Sequence, residues 1–78
     1  MPREPDPDWI INQRRQIGDR VRRQRLYANL TQEGLRDLSG VERLTIQRIE
    51  SGATDARISW LLRIARALDV HVSELLRG

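Results

Sequence analysis

The sequence predicts an all-α domain of five helices, and three observations support that prediction. Apolar residues recur at spacings of three and four along most of the chain, which is the period of an amphipathic helix. Glycines 40 and 52 stand where two of these patterns end, and glycine readily ends a helix. The chain has 78 residues and no cysteine, so one small core without disulfides has to stabilise it. A five-helix bundle fits that size.

The most informative stretch is residues 31–52, which we interpret as two short helices joined by a tight turn at Gly40. Thr31 can cap the first helix, because its hydroxyl can accept a hydrogen bond from a backbone N–H one turn on. Gly40 permits a positive φ in the turn, and Gly52 can end the second helix after Ser51. The apolar residues that form the buried stripes are Leu35, Leu38, Val41, Ile46 and Ile49. Together these features predict a helix-turn-helix.

The remaining elements are predicted around this unit. Residues 1–8 alternate proline with acidic residues, so we expect a flexible or extended leader followed by a folded domain over residues 9–78. The predicted helices are residues 9–26, 32–39, 42–51, 57–68 and a short fifth helix, with Asp8, Asp55 and Ser73 as caps of the first, fourth and fifth. The expected core stripes are Ile10, Ile17 and Val21 in the first helix and Ile58, Leu61, Leu62, Ala65 and Leu68 in the fourth.

The composition argues against several classes of function. The glycines are scattered, cysteine is absent and His71 is the only histidine, so the chain offers no phosphate-binding loop, catalytic pair or metal cluster. We therefore predict no enzyme, no catalytic residue, no metal and no cofactor. No apolar run is long enough to cross a bilayer and the amino terminus lacks the features of a signal peptide, so we expect a soluble, cytoplasmic protein.

The charge pattern is compatible with a nucleic-acid partner. All fourteen basic residues are arginine, and the net charge of +3 becomes +5 when the first eight residues, which carry −2, are left out. Arginine's planar fork suits phosphates and guanine edges, although a GC-rich genome would give the same bias. The arginine-rich flank of the first helix has two interpretations, a nucleic-acid contact or a solvated face.

Several motifs occur together and in order: TQEGL from Thr31, SGV from Ser39, TIQRIESG from Thr45, LLRIARALDV from Leu61 and SELL from Ser73. In this combination the chain resembles the phage-repressor (Cro/C1, XRE-type) helix-turn-helix family over roughly residues 17–76. The resemblance implies a lambda-repressor-like fold, double-stranded DNA as the partner and a role in transcription regulation. Two positions depart from the family: Arg36 replaces the usual alanine, and Asp55 stands in a turn that is commonly basic.

The third predicted helix contains the candidate base-contacting residues. With Ile46 and Ile49 turned to the core, it projects the opposite set outward: Arg43, Leu44, Gln47 and Arg48. The resemblance assigns base contacts to Arg43, Leu44 and Arg48, and helical placement adds Gln47. Arginine can contact guanine, glutamine adenine, and leucine the thymine methyl group.

Other candidates contact phosphates or hold the fold. The resemblance implies a phosphate contact by Gln32 and an ion pair between Arg25 and Glu50 that joins the first and third helices. At the far end of the third helix, Ser51, Thr54 and Arg57 are further candidates for phosphate contact.

We predict a sequence-specific double-stranded DNA-binding transcriptional regulator, a repressor or autoregulator, that acts as a homodimer on an inverted repeat. In relatives, the surface around the fifth helix often forms the dimer. The alternative is a protein-interaction module or antitoxin-type partner with the same fold. Trp9, Ile10 and Ile11 can pack on the chain's own fifth helix or on a second subunit, and Trp60 can cover the bundle's edge or contact a partner.

Overall fold

Five α-helices form the part of the chain that the computed structural model describes, residues 5–77. They are α1 Asp8–Tyr27, α2 Gln32–Ser39, α3 Arg43–Ser51, α4 Ile58–Ala67 and α5 Ser73–Leu76. The described residues contain no strand, which confirms the all-α prediction. Half of the expected leader, residues 1–4, lies outside the described range, and residues 5–7 have no regular secondary structure.

The core forms where α1 packs against α3 and α5, and where α2 packs against α3 and α4. Its buried apolar residues are Val21, Leu35, Val41, Ile46, Ile49, Leu61, Ile64, Ala65, Leu68 and Leu75. Burial of these side chains is the main favourable term for a domain that has no disulfide. None of the helices in residues 5–77 is long and apolar enough to span a membrane.

Three residues expected in the core are exposed instead. Leu38, Ile58 and Leu62 are 62%, 74% and 49% accessible, whereas Ile64, which the predicted stripe omitted, is fully buried. In α4 the buried face follows Leu61, Ile64, Ala65 and Leu68, at spacings of three, one and three, and this face turns Leu62 outward. Ile58 lies at the first residue of α4, one turn before the core begins.

The predicted ends of the central helices match the structure. Thr31 is the N-cap of α2, and its Oγ1 accepts a hydrogen bond from the Gly34 N–H at 2.9 Å. Gly40 and Gly52 are the C-caps of α2 and α3, with φ of 74° and 75° in the left-handed region. A residue with a Cβ would be strained at either position.

The predicted caps of the outer helices were wrong. Asp8 and Ser73 are the first residues of α1 and α5, one position after the caps Pro7 and Val72. Asp55 lies two residues before the N-cap of α4, Arg57, and makes no capping bond there. At α5 the cap interaction comes from His71, whose Nδ1 accepts from the Ser73 N–H at 3.1 Å. Proline explains the start of α1, because its ring fixes the φ of Pro7 at −65°, a value compatible with the residue that precedes a helix.

Candidate nucleic-acid interface

The turn between α2 and α3 is fixed by short-range hydrogen bonds. The Gly40 N–H donates to the Arg36 carbonyl oxygen at 2.8 Å, and buried Ser39 Oγ accepts from the Val41 N–H at 3.1 Å. Val41 then enters the core directly after the turn. With these bonds and the buried Val41 in the connecting turn, α2 and α3 form a helix-turn-helix.

The outward face of α3 presents all four predicted base-contacting residues to solvent. Ile46 and Ile49 are buried, and on the other side of the helix Arg43, Leu44, Gln47 and Arg48 are exposed. No ion pair within residues 5–77 involves Arg43 or Arg48. Two guanidinium groups, one amide and one apolar side chain therefore occupy a single exposed helix face of the width that a major groove admits.

A buried ion pair ties the C-terminal end of α3 to α1. Arg25 Nε lies 2.7 Å from Glu50 Oε2 and its Nη2 lies 3.0 Å from Oε1, while Nη1 donates to the Leu30 carbonyl oxygen at 2.8 Å. Both charged side chains are buried, at 9% and 5% exposure. The hydrogen bonds to Glu50 raise the pKa of the Arg25 guanidinium above its ordinary value. The structure thus brings together the two residues that the resemblance pairs.

Gln32 joins this ion pair and faces outward only in part. Its Nε2 donates to Glu50 Oε1 at 3.2 Å, and the side chain is half-buried at the first residue of α2. An amide nitrogen has two N–H donors, so one remains for another acceptor. That donor and the backbone N–H groups at the start of α2 that precede Gly34 are in place for a phosphate.

The other predicted phosphate contacts lie on one segment, residues 51–57, at the C-terminal end of α3 and just beyond it. Ser51 Oγ donates to the Arg48 carbonyl oxygen at 3.2 Å, and Thr54 is half-buried. Arg57 is exposed and its guanidinium carbon lies 5.3 Å from the centroid of the Trp60 ring, a cation–π distance. Trp60 packs against the core and covers the bundle's edge, and its ring lies against the Arg57 guanidinium.

Two residues missed by the sequence reasoning fix the contact between α1 and α3. A Cβ on Gly18 would lie 2.1 Å from the Ile49 carbonyl oxygen, so the two helix backbones touch there. Arg14 donates to the Gly52 carbonyl oxygen from Nε at 3.2 Å and from Nη2 at 3.0 Å. A glycine inside an amphipathic helix was a usable sign of close packing. Arg14 gave no such sign, because it is one of many arginines on its helix.

The alternatives left open for α1 are partly resolved. Trp9 is 67% exposed and is not among the residues that pack on the core, whereas Ile10 and Ile11 are half-buried. Arg22 and Arg23 are exposed, and Arg23 pairs with Asp19 one turn earlier. At the departure in α2, Arg36 points outward and pairs with neighbouring Asp37, whose hydrogen bond raises the pKa of Arg36. Residues 5–77 contain no group of three potential metal ligands.

Comparison with known proteins supports one family. A sequence model described as a helix-turn-helix domain matches residues 16–77. Among solved structures, the restriction-modification controller protein C.AhdI from Aeromonas hydrophila is similar, with 34% sequence identity and a TM-score of 0.77. That match covers 80% of this chain and 94% of the controller protein. No curated protein matches the chain.

Proposed function

The chain belongs to the phage-repressor (Cro/C1, XRE-type) helix-turn-helix family, and from this membership we propose that it recognises a specific double-stranded DNA sequence by inserting α3 into the major groove. The family makes it a DNA-binding transcription regulator and not an enzyme. One observation carries the finer proposal. Arg43, Leu44, Gln47 and Arg48 are exposed on one side of α3, and the other side buries Ile46 and Ile49.

The chemistry of that face suits base edges. Arg43 and Arg48 can each donate two parallel hydrogen bonds to guanine O6 and N7, and Gln47 can pair with adenine. Leu44, half-exposed on the same face, can pack on a thymine methyl group. Phosphates on either side are contacted by Gln32 and by Ser51, Thr54 and Arg57, which set the register of α3 without reading sequence.

The assembly and regulatory role follow from this binding mode. A homodimer would place two copies of α3 about one helical turn of DNA apart, on an inverted repeat. The similarity to a restriction-modification controller protein favours a repressor or autoregulator that competes with RNA polymerase or recruits it. Since the ligand is DNA, we place the protein in the cytoplasm.

Selection from a random duplex library at near-physiological salt tests the proposal. We expect enrichment of a two-fold-symmetric sequence, together with a dimer mass by light scattering. If no sequence is enriched and the protein binds DNA only at low salt, the proposed specific recognition is wrong.

Substitutions on the exposed face of α3 identify the reading residues. Arg43→Ala and Arg48→Ala should each weaken binding to the selected site by about 1–3 kcal/mol and leave non-specific binding nearly unchanged. Gln32→Ala should weaken binding to all duplexes alike, because a phosphate contact carries no sequence information. Cognate affinity that survives both arginine substitutions would exclude α3 as the reading helix.

A second candidate function is a protein-interaction module or antitoxin-type partner. Exposed apolar side chains favour it: Trp9, Leu38 and Ile58 are 67%, 62% and 74% accessible. This alternative predicts no salt-dependent binding to any duplex and a protein partner whose affinity falls in Trp9→Ala or Ile58→Ala.

A further inference from the structure

Residues before position 16 lie outside the matched helix-turn-helix region, yet they reach the end of α3. Two donors of the Arg14 guanidinium are bonded to the Gly52 carbonyl oxygen, at 3.2 and 3.0 Å. Its Nη1 donates to Asp6 Oδ2 at 3.1 Å. One arginine therefore connects the leader, the first helix and the C-terminal end of α3.

Asp6 is held close to the geometry that this pair needs. It lies between Pro5 and Pro7, and a residue before proline is restricted to extended conformations. Pro7 is the N-cap of α1, and its carbonyl oxygen accepts from the Ile10 N–H at 3.0 Å. Asp6 is thus attached to the start of the helix that carries Arg14, so little conformational entropy is lost when the two side chains pair. The side chains are 28% and 22% exposed, which shields the pair partly from water.

Gly52, which accepts the two bonds from Arg14, is the residue at which the chain leaves α3. A Cβ at Gly52 would lie 2.9 Å from the Arg15 Cα, so the turn rests directly on the α1 backbone. The segment that follows carries Thr54 and Arg57, two of the proposed phosphate contacts. A cation at a helix C-terminus also interacts favourably with the helix dipole. The Arg14 bonds to Gly52 therefore fix both the end of α3 and the origin of that segment.

We propose that Asp6 and Arg14 form a clasp that positions the C-terminal end of α3 and the segment 53–57 against DNA. Arg14 is a positioning residue that acts through Gly52, and its guanidinium is directed at protein acceptors on both sides. Asp6 is an acidic residue that strengthens DNA binding because it orients Arg14. This inference rests on the proposed DNA-reading function and adds residues outside the helix-turn-helix region to it.

The experiment compares Asp6→Ala, Arg14→Lys and Arg14→Gln with the parent, on the selected duplex and on a scrambled duplex, over a range of salt concentrations. Each variant should bind the selected duplex roughly 3- to 10-fold more weakly. It should also bind the scrambled duplex more weakly, because the displaced segment carries phosphate contacts that do not depend on sequence. The slope of log affinity against log salt should stay parental, since no phosphate contact is removed.

Asp8→Ala is the matched control. Asp8 is exposed at the start of α1 and makes no ion pair within residues 5–77, so its substitution removes the same charge without touching Arg14. Loss of an acidic charge near DNA should leave affinity equal or higher. If Asp6 positions Arg14, Asp6→Ala should instead lower the affinity for the selected duplex. The opposite direction of the two affinity changes is the decisive readout. Asp6 lies outside the helices, so circular dichroism should show parental helix content in that variant.

Two outcomes overturn the clasp. If Arg14→Lys keeps parental affinity while Arg14→Gln loses it and lowers the salt slope by about one, Arg14 binds a phosphate directly. If Asp6→Ala behaves like Asp8→Ala, the leader has no positioning role. Both results leave the proposed function standing, whereas a parent protein that selects no sequence overturns the proposed function and the clasp together.

Discussion

The two ends of α3 are held very differently. The C-terminal end is fixed by the Glu50 ion pair, by the backbone contact at Gly18 and by the Arg14 bonds to Gly52. The N-terminal end begins at Glu42, which makes no side-chain capping bond, and continues into exposed Arg43 and Leu44. Recognition helices in this fold class contact bases mainly with their first turns. We call the C-terminal end, which is bonded to α1, the fixed end. We call the N-terminal end the free end, because it is held through the turn after α2 but exposes its first side chains to a ligand.

The largest effect is expected at the fixed end, from Glu50→Ala. The substitution leaves Arg25 buried without its carboxylate, which should lower the free energy of unfolding by about 3–5 kcal/mol. Urea denaturation followed by circular dichroism measures the loss. Glu42→Ala, which removes an exposed carboxylate from the free end of the same helix, is the control.

The double variant Arg25→Met, Glu50→Leu separates charge from packing. It should be more stable than Glu50→Ala, because no unpaired charge remains in the interior. If Glu50→Ala were no more destabilising than Glu42→Ala, the ion pair would not hold the fixed end.

Gly18→Ala should have the next largest effect. Its Cβ would lie 2.1 Å from a backbone oxygen of α3, and neither helix can relieve the clash by a side-chain rotation. We expect a loss of about 2–3 kcal/mol in the free energy of unfolding. Gly34→Ala makes the same change in α2, where the nearest atoms are side-chain atoms at 3.3 Å, and it should stay within about 1 kcal/mol of the parent. Equal losses in the two variants would contradict the backbone contact.

A smaller effect of opposite sign is expected at the free end. Glu42 is the N-cap of α3 without a capping side chain, and Glu42→Ser supplies a hydroxyl that can accept from the first-turn N–H groups. The free energy of unfolding should rise by about 0.5–1 kcal/mol. A thermal denaturation midpoint equal to or below that of the parent would show that the first-turn N–H groups of α3 gain no hydrogen bond from the serine hydroxyl.

The smallest stability effect is expected for Arg43→Ala. The side chain is exposed, so the free energy of unfolding should change by less than about 0.5 kcal/mol. Parallel urea denaturation and binding to the selected duplex would show a loss of affinity without a loss of stability. If the Arg43→Ala variant unfolds more easily than the parent, Arg43 stabilises the fold, and its loss of affinity would not identify a base contact.

Local chemistry was predictable from the sequence, and long-range packing was not. Thr31, Gly40 and Gly52 could be assigned because a cap or a positive φ depends on neighbours a few residues away. Leu38 and Ile58 were placed wrongly in the core, since helical spacing defines a stripe but not where the neighbouring helices end. Asp8 and Ser73 missed their cap positions by one residue, the usual uncertainty of a helix end.

The candidate site divides in the same way. The outward set on α3 followed from the burial of Ile46 and Ile49 on the same helix, which a period of 3.6 residues is enough to predict. The pairing of Arg25 with Glu50 came from family resemblance, because nothing local links residues that far apart. Gly18 and Arg14 act across the α1–α3 contact, and only the three-dimensional arrangement identifies their partners.

The position of α1 also determines the order in which the molecule can fold. This helix is synthesised before the other four, but several of its partners come much later in the chain: Ile49, Glu50, Gly52 and, through Arg20, the Leu75 carbonyl oxygen. An isolated helix of 20 residues is only marginally stable in water. While the ribosome is still adding the second half of the chain, α1 therefore lacks these partners. The five helices should acquire their folded arrangement in one cooperative step, after Leu75 has left the ribosome, and not helix by helix in chain order.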